Sequence, residues 1–138
     1  MEAPKKLTIV IIADNPLFAE MLKKTMVSGL DEDIFVQTMN SVELFFKELE
    51  SNRLKPDVIV LDYELNTIQG EEQGCKTVIS HIKRVSPETP IVVISEESAM
   101  QSAAKTLQYG ANEYVTKDKF AFSHITNAVK SCLNPSKS

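Results

Sequence analysis

The sequence predicts an α/β fold, a doubly wound parallel sheet of five strands with five helices. Three observations carry it. Short β-branched apolar runs alternate in strict order with stretches of helical period. Three of those runs, residues 7–12, 57–61 and 91–94, are apolar on both faces, as strands covered by helices on both sides are. The length of 138 residues, with 43% apolar and 25% charged, suits one globular domain that buries about 70% of its unfolded surface. Right-handed crossovers are the short way to join such strands in parallel.

The elements follow in order. "LTIVII", residues 7–12, is the first buried strand. Asn15 can cap the next helix and Pro16 suits its first turn, with Phe18, Met21, Leu22, Thr25 and Met26 on one face. "IFVQTM", residues 34–39, reads as a more exposed strand. Ser41 caps a helix that turns Val42, Phe45, Phe46 and Leu49 inward. "DVIVL", residues 57–61, follows Pro56 as the second buried strand. Helical period returns with Val78, Ile79 and Ile82 and stops at Ser86-Pro87. That helix fits a start near Gly74, which makes "GEEQ", residues 70–73, an extension of the preceding loop. "IVVI", residues 91–94, is the third buried strand. A helix carrying Ala99, Ala103 and Leu107 ends at Gly110, a suitable cap residue. "EYV", residues 113–115, is a short strand, and Phe122, Ile125, Val129, Cys132 and Leu133 mark the last helix. The domain is expected over residues 5–133, with residues 1–4 and 134–138 as flexible termini.

Composition narrows the function. A formal net charge of −4 and a pI near 5.2 argue against a broad basic surface, so no direct nucleic-acid binding is expected. Cys75 and Cys132 lack metal-ligand spacing and nothing resembles a secretory leader, which points to free thiols in a reducing cytoplasm. The apolar stretch near the N-terminus is too short to span a bilayer. His81 and His124 fall on polar helix positions and read as solvated. The acid-rich residues 64–72 read as a solvated loop in preference to a second metal site.

In open sheets of this kind, ligands bind beyond the carboxyl ends of the strands, where strand order reverses. Ala13, Asp14 and Asn15 follow the first strand, Asp62 the third, Ser95 the fourth, and Thr116 and Lys117 the fifth. Two carboxylates suit Mg²⁺, which takes one or two protein carboxylates and keeps waters and phosphate oxygens as its other ligands. A lysine supplies positive charge and a hydroxyl a donor for phosphoryl oxygens. Together they describe a site for phosphoryl transfer.

The segments "IVIIADNPLF", "PDVIVLDYEL", "PIVVISEE" and "YGANEYVTKD" resemble, in order, the blocks of response-regulator receiver domains, the phosphoacceptor modules of two-component signalling. The resemblance implies the flavodoxin-like strand order 2-1-3-4-5. It also implies that Asp62 takes a phosphoryl group from a sensor histidine kinase or phosphotransfer protein. Mg²⁺ would be held by Asp14, Asp62 and the backbone carbonyl of Glu64. Lys117 would pair with Asp62 before transfer and with a phosphoryl oxygen after it. Ser95 would bond another phosphoryl oxygen, and Tyr114 would change rotamer with it. The face made by the fourth helix, fifth strand and fifth helix, roughly residues 98–133, would then meet a downstream protein or effector domain. Homodimerisation through that face stays open.

Departures from the family pattern matter too. The first of the two usual acids is Ala13, which on the resemblance weakens Mg²⁺ binding by about 10 to 100-fold without abolishing it. Glu96 replaces a small residue after the serine. Asp118 replaces the proline after the lysine, so a trans peptide is expected there. The common Met-Pro after the acceptor segment is missing. Three readings stand: an active phosphoacceptor that is a signalling domain and no turnover enzyme; a pseudo-receiver that binds protein independently of phosphorylation; and a phosphohydrolase of the haloacid dehalogenase kind. The last usually has Asp where Glu64 stands.

Overall fold

The computed structural model describes residues 6–30, 33–63, 73–96 and 100–134. Among the described residues strands and helices alternate: β1 (Leu7–Ile12), α1 (Pro16–Gly29), β2 (Ile34–Met39), α2 (Val42–Glu50), β3 (Val58–Asp62), α3 (Gln73–Val85), β4 (Ile91–Ser95), α4 (Met100–Tyr109), β5 (Glu113–Thr116) and α5 (Ala121–Leu133). The sheet is parallel in the order β2-β1-β3-β4-β5, as expected. Crossing from β1 to β2 on one side and to β3 on the other makes β1/β3 the point where strand order reverses.

Period-two alternation splits the core into two layers. Ile9 and Ile11 of β1, Val58 and Val60 of β3, and Val92 and Ile94 of β4 pack against α1 and α5. Val10, Ile12, Ile59, Leu61, Ile91 and Val93 pack on the other face against α2 and α3. Every residue of β3 and β4 is buried, whereas β2 at the sheet edge buries only Val36 and Met39 and exposes Phe35 and Thr38. The anticipated difference between central and edge strands is therefore present.

Local chemistry sets the helix starts. Asn15 caps α1, its side-chain oxygen accepting from the Phe18 N–H at 3.1 Å, and Ser41 does the same for α2 through the Leu44 N–H. Gly110 closes α4 at φ +122, a backbone region that favours glycine.

Several expectations shift. The strands at 57–61 and 91–94 run one residue further, to Asp62 and Ser95, because backbone pairing of Asp62 with Ile94 and Ser95 with Thr116 continues past the apolar run. Asp57 lies outside β3; its carboxylate accepts from the Thr8 N–H at 2.8 Å and its own N–H donates to the Thr8 carbonyl. Gln73 belongs to α3, so the loop extension at 70–73 ends earlier than expected, and residues 70–72 lie outside the described residues. Met21 is exposed, since α1 buries Ala19, Leu22 and Met26. Leu107 is exposed and Thr106 takes the buried position on α4, its hydroxyl satisfied by the Ala103 carbonyl. Ala99 and the termini at 1–4 and 135–138 also fall outside the described residues. His81 is not merely solvated: its Nε2 lies 2.8 Å from Glu50 Oε1 and its ring stacks on Phe46 at 3.9 Å, tying α3 to α2.

Candidate functional site

The carboxyl ends of β1, β3, β4 and β5 form one rim, and the residues singled out by position collect there. Asp62 ends β3, where the alternation that turns Val58 and Val60 toward α1 and α5 places it on that same side of the sheet. A carboxylate delivered by a doubly covered strand loses its water; the Asp62 side chain is only 2% exposed. Burying a charge is costly unless it is paired. Lys117 supplies the pairing, its Nζ donating to Asp62 Oδ2 at 2.8 Å with the lysine side chain 15% exposed.

Lys117 reaches this point because β4 and β5 are paired to their ends. Ser95 matches Thr116 in register, and the Lys117 N–H donates to the Ser95 carbonyl at 2.7 Å. The chain then turns at once into α5: the Asp118 N–H donates to the Thr116 carbonyl, and Asp118 Oδ1 accepts from the Phe120 N–H at 2.8 Å. Asp118 thus closes the connection with a side-chain turn where the family pattern has proline, and no cis peptide occurs among the described residues.

Ser95 is fully buried at the end of β4. Asp14 is exposed just beyond β1, beside the buried Ala13, whose N–H donates to the Met39 carbonyl. Ala13 and Asp14 line a cavity of about 420 Å³ together with Pro16, Thr38, Asn40 and Leu44. Tyr114 is half-buried on β5 and packs against the α2/α3 side of the core. Glu96 is exposed. Glu64, assigned a metal-facing carbonyl by the resemblance, lies outside the described residues, as does the acid-rich stretch 64–72.

One neighbour of the site carries no mark in the sequence beyond that of a core residue. Phe18 of α1 packs against the α1/α5 layer, and the Lys117 ammonium stands over its ring, 5.0 Å from the centroid. Helical spacing marks Phe18 as apolar-facing, but its contact with Lys117 depends on the tertiary meeting of α1 with the end of β5, which no local pattern carries.

The donor set is compatible with Mg²⁺. β1 and β3 are adjacent, with Ile12 opposite Leu61, so their extensions bring Asp14 and Asp62 to neighbouring positions on the rim. Among the described residues no group of three or more His, Cys, Asp or Glu side chains forms a metal cage. A site with two carboxylates and otherwise water and phosphate oxygens is the usual arrangement for this ion.

The structure thus sets an acid–lysine pair at the rim of a doubly wound parallel sheet. The chain belongs to the response regulator receiver domain family, whose model matches residues 9–130. It is 30% identical over 120 residues to protein-glutamate methylesterase/protein-glutamine glutaminase 3 of Geobacter metallireducens, a match covering 83% of this chain and 30% of that protein. It is 24% identical over 129 residues to the Regulator of RpoS of Escherichia coli, covering 93% of this chain and 35% of that one. The chain therefore spans about a third of the length of these curated relatives. In fold it matches a CheY-like response regulator receiver domain protein from Methanospirillum hungatei, with a TM-score of 0.76 at 13% identity over 96% of this chain and 98% of that one. Receiver domains are signalling modules of two-component systems, and membership in that family displaces the haloacid dehalogenase reading. No helix among the described residues is long and apolar enough to cross a membrane.

Proposed function

We propose that this domain is an active phosphoacceptor, taking a phosphoryl group onto Asp62 from a histidine kinase or phosphotransfer protein. The observation that carries the reading is the Lys117 Nζ at 2.8 Å from Asp62 Oδ2, at the end of a buried central strand. An Asp62 carboxylate oxygen attacks phosphorus, the bond to the donor's imidazole nitrogen breaks, and the nitrogen leaves with its electron pair. The product is an acyl phosphate. The Lys117 ammonium shifts from the carboxylate to a phosphoryl oxygen, and the Ser95 hydroxyl donates to another. Transfer of this kind depends on positioning and charge stabilisation more than on covalent help from the protein.

Asp14 and Asp62, with the Glu64 carbonyl, would hold Mg²⁺, which when bound offsets the charge that phosphoryl oxygens add beside the carboxylates. Engagement of Ser95, with Tyr114 following on β5, would carry the event to the face of α4, β5 and α5, where a downstream protein or effector docks. Incubation with acetyl phosphate and Mg²⁺, read by intact mass, tests this. The wild type is expected to gain one phosphoryl group and Asp62→Asn none; an equal gain in both refutes the assignment.

The pseudo-receiver reading rests on Ala13, buried where the family carries an acid, and on Glu96 exposed beside the serine. An unphosphorylated domain that still binds its partner at full affinity after Asp62→Asn would favour it.

A further inference from the structure

We propose that Phe18 is a positioning residue for Lys117, an aromatic seat on α1 that keeps the ammonium beside Asp62, and that Phe122 on α5 sets the tilt of that seat. The inference deepens the phosphoacceptor reading and rests on it. Three contacts form one chain across the α1/α5 side of the sheet. Lys117 Nζ donates to Asp62 Oδ2 at 2.8 Å. The same ammonium stands 5.0 Å from the Phe18 centroid, within the range where a ring face attracts a cation. The Phe18 ring meets Phe122 at 5.3 Å between centroids and 36° between planes.

The physical need for such a seat comes from the lysine itself. Lys117 has a long, rotamer-rich side chain, and once phosphorylation gives its partner three more oxygens, the ammonium must travel a short distance without escaping to water. A hydrogen-bond acceptor at the seat would compete with Asp62 and the phosphoryl group for its protons. A ring face attracts positive charge without accepting it along a fixed direction, so it restrains the ammonium to the rim and leaves its donors directed at the acceptor. The side chain's low exposure, 15%, removes much of the water that would otherwise weaken the attraction. Because Phe122 lies against Phe18, and also lines the groove between α1 and α5 with Thr25, Gly29 and Phe120, movement of α5 against α1 would alter where Lys117 sits. The acceptor site is thereby tied to the packing of these two helices by a route that does not pass through Ser95 or Tyr114.

The test uses the full chain and three variants. Phe18→Leu keeps apolar volume and removes the ring face, Phe18→Tyr keeps the ring, and Phe122→Leu keeps Phe18 and removes its neighbour. Phosphoryl uptake from acetyl phosphate with Mg²⁺ is expected to slow about fivefold in Phe18→Leu and to stay near the wild-type rate in Phe18→Tyr. Where the wild type takes up phosphoryl groups, equal rates in Phe18→Leu and wild type, or equal slowing in the Leu and Tyr variants, would overturn the proposal. The second readout needs no phosphorylation: the Lys117 Hε protons are expected upfield in the NMR spectrum of wild type and Phe18→Tyr, displaced less in Phe122→Leu, and unshifted in Phe18→Leu. Unshifted protons in the wild type would overturn the seat. If the wild type takes up no phosphoryl group while the ring shift is present, the phosphoacceptor reading fails and the seat stands.

Discussion

Replacing Lys117 with methionine removes the ammonium and keeps an unbranched stem up to the Cε position, leaving Asp62 buried without its cation. At a separation of 2.8 Å and an effective dielectric near 20, the gross attraction in the pair is about 6 kcal/mol. Much of that is offset by the cost of taking both charges out of water, so the pair's net worth against neutral residues is small. Breaking one side is different. It leaves an uncompensated buried charge, which typically costs about 3 to 5 kcal/mol. The 15% exposure of Lys117 leaves a path for water to reach the vacated place, which puts the expected loss near the lower end, about 3 kcal/mol. With an m-value of about 2 kcal/mol per molar urea, the midpoint should fall by about 1.5 M. The double variant Asp62→Asn/Lys117→Met carries no stranded charge and is expected to recover most of that loss, giving a coupling of about 2 to 3 kcal/mol in the cycle. Equilibrium urea unfolding of the four proteins measures it. Additive losses, with the double variant no more stable than Lys117→Met, would refute the argument that the two groups depend on each other for burial.

Ala13→Asp restores the second acid beside Asp14 and should raise Mg²⁺ affinity by about 10 to 100-fold by titration calorimetry, with a loss of stability in the absence of metal because the position is buried. Gly110→Ala places a Cβ 3.2 Å from Lys83 Cγ at φ +122, and should cost about 1 to 3 kcal/mol by thermal unfolding. Burial pushes the Cys132 thiol above its ordinary 9.0, Glu113 adds to this and Lys83 opposes it. The unfolded chain therefore releases this proton first, so the thiol's contribution to stability is present below pH 9.0 and lost as pH rises through the folded value. Urea unfolding from about pH 8 to about pH 10 should show a component of that fall missing from Cys132→Ala.

The sheet was legible because its central strands are covered on both faces, a condition that leaves β-branched apolar residues at nearly every position of 58–61 and 91–94. Strand ends were less so. The apolar run stops at Leu61, but backbone pairing carries β3 through Asp62, since hydrogen bonds between strands are indifferent to side-chain polarity. Asp62, Ser95 and Lys117 stand at or just past the ends of apolar runs, so element order alone picks them out. Contacts between helices were not accessible in this way. The meeting of His81 with Glu50 and Phe46, and of Lys117 with Phe18, depends on how α2 faces α3 and how α1 faces the end of β5. Met21 and Leu107 show the limit of helical period alone: the apolar stripe fixes a face only to within a residue, and on α4 a threonine bonded to its own helix takes the buried place.

The most direct test asks which atom receives the phosphoryl group. After incubation with phosphoramidate and Mg²⁺, borohydride reduction converts an aspartyl phosphate to homoserine, and peptide mass spectrometry locates it. Homoserine at position 62 is the expected result. Homoserine in place of Asp14, or an unmodified Asp62 in a protein that has demonstrably been exposed to active donor, would contradict the central claim.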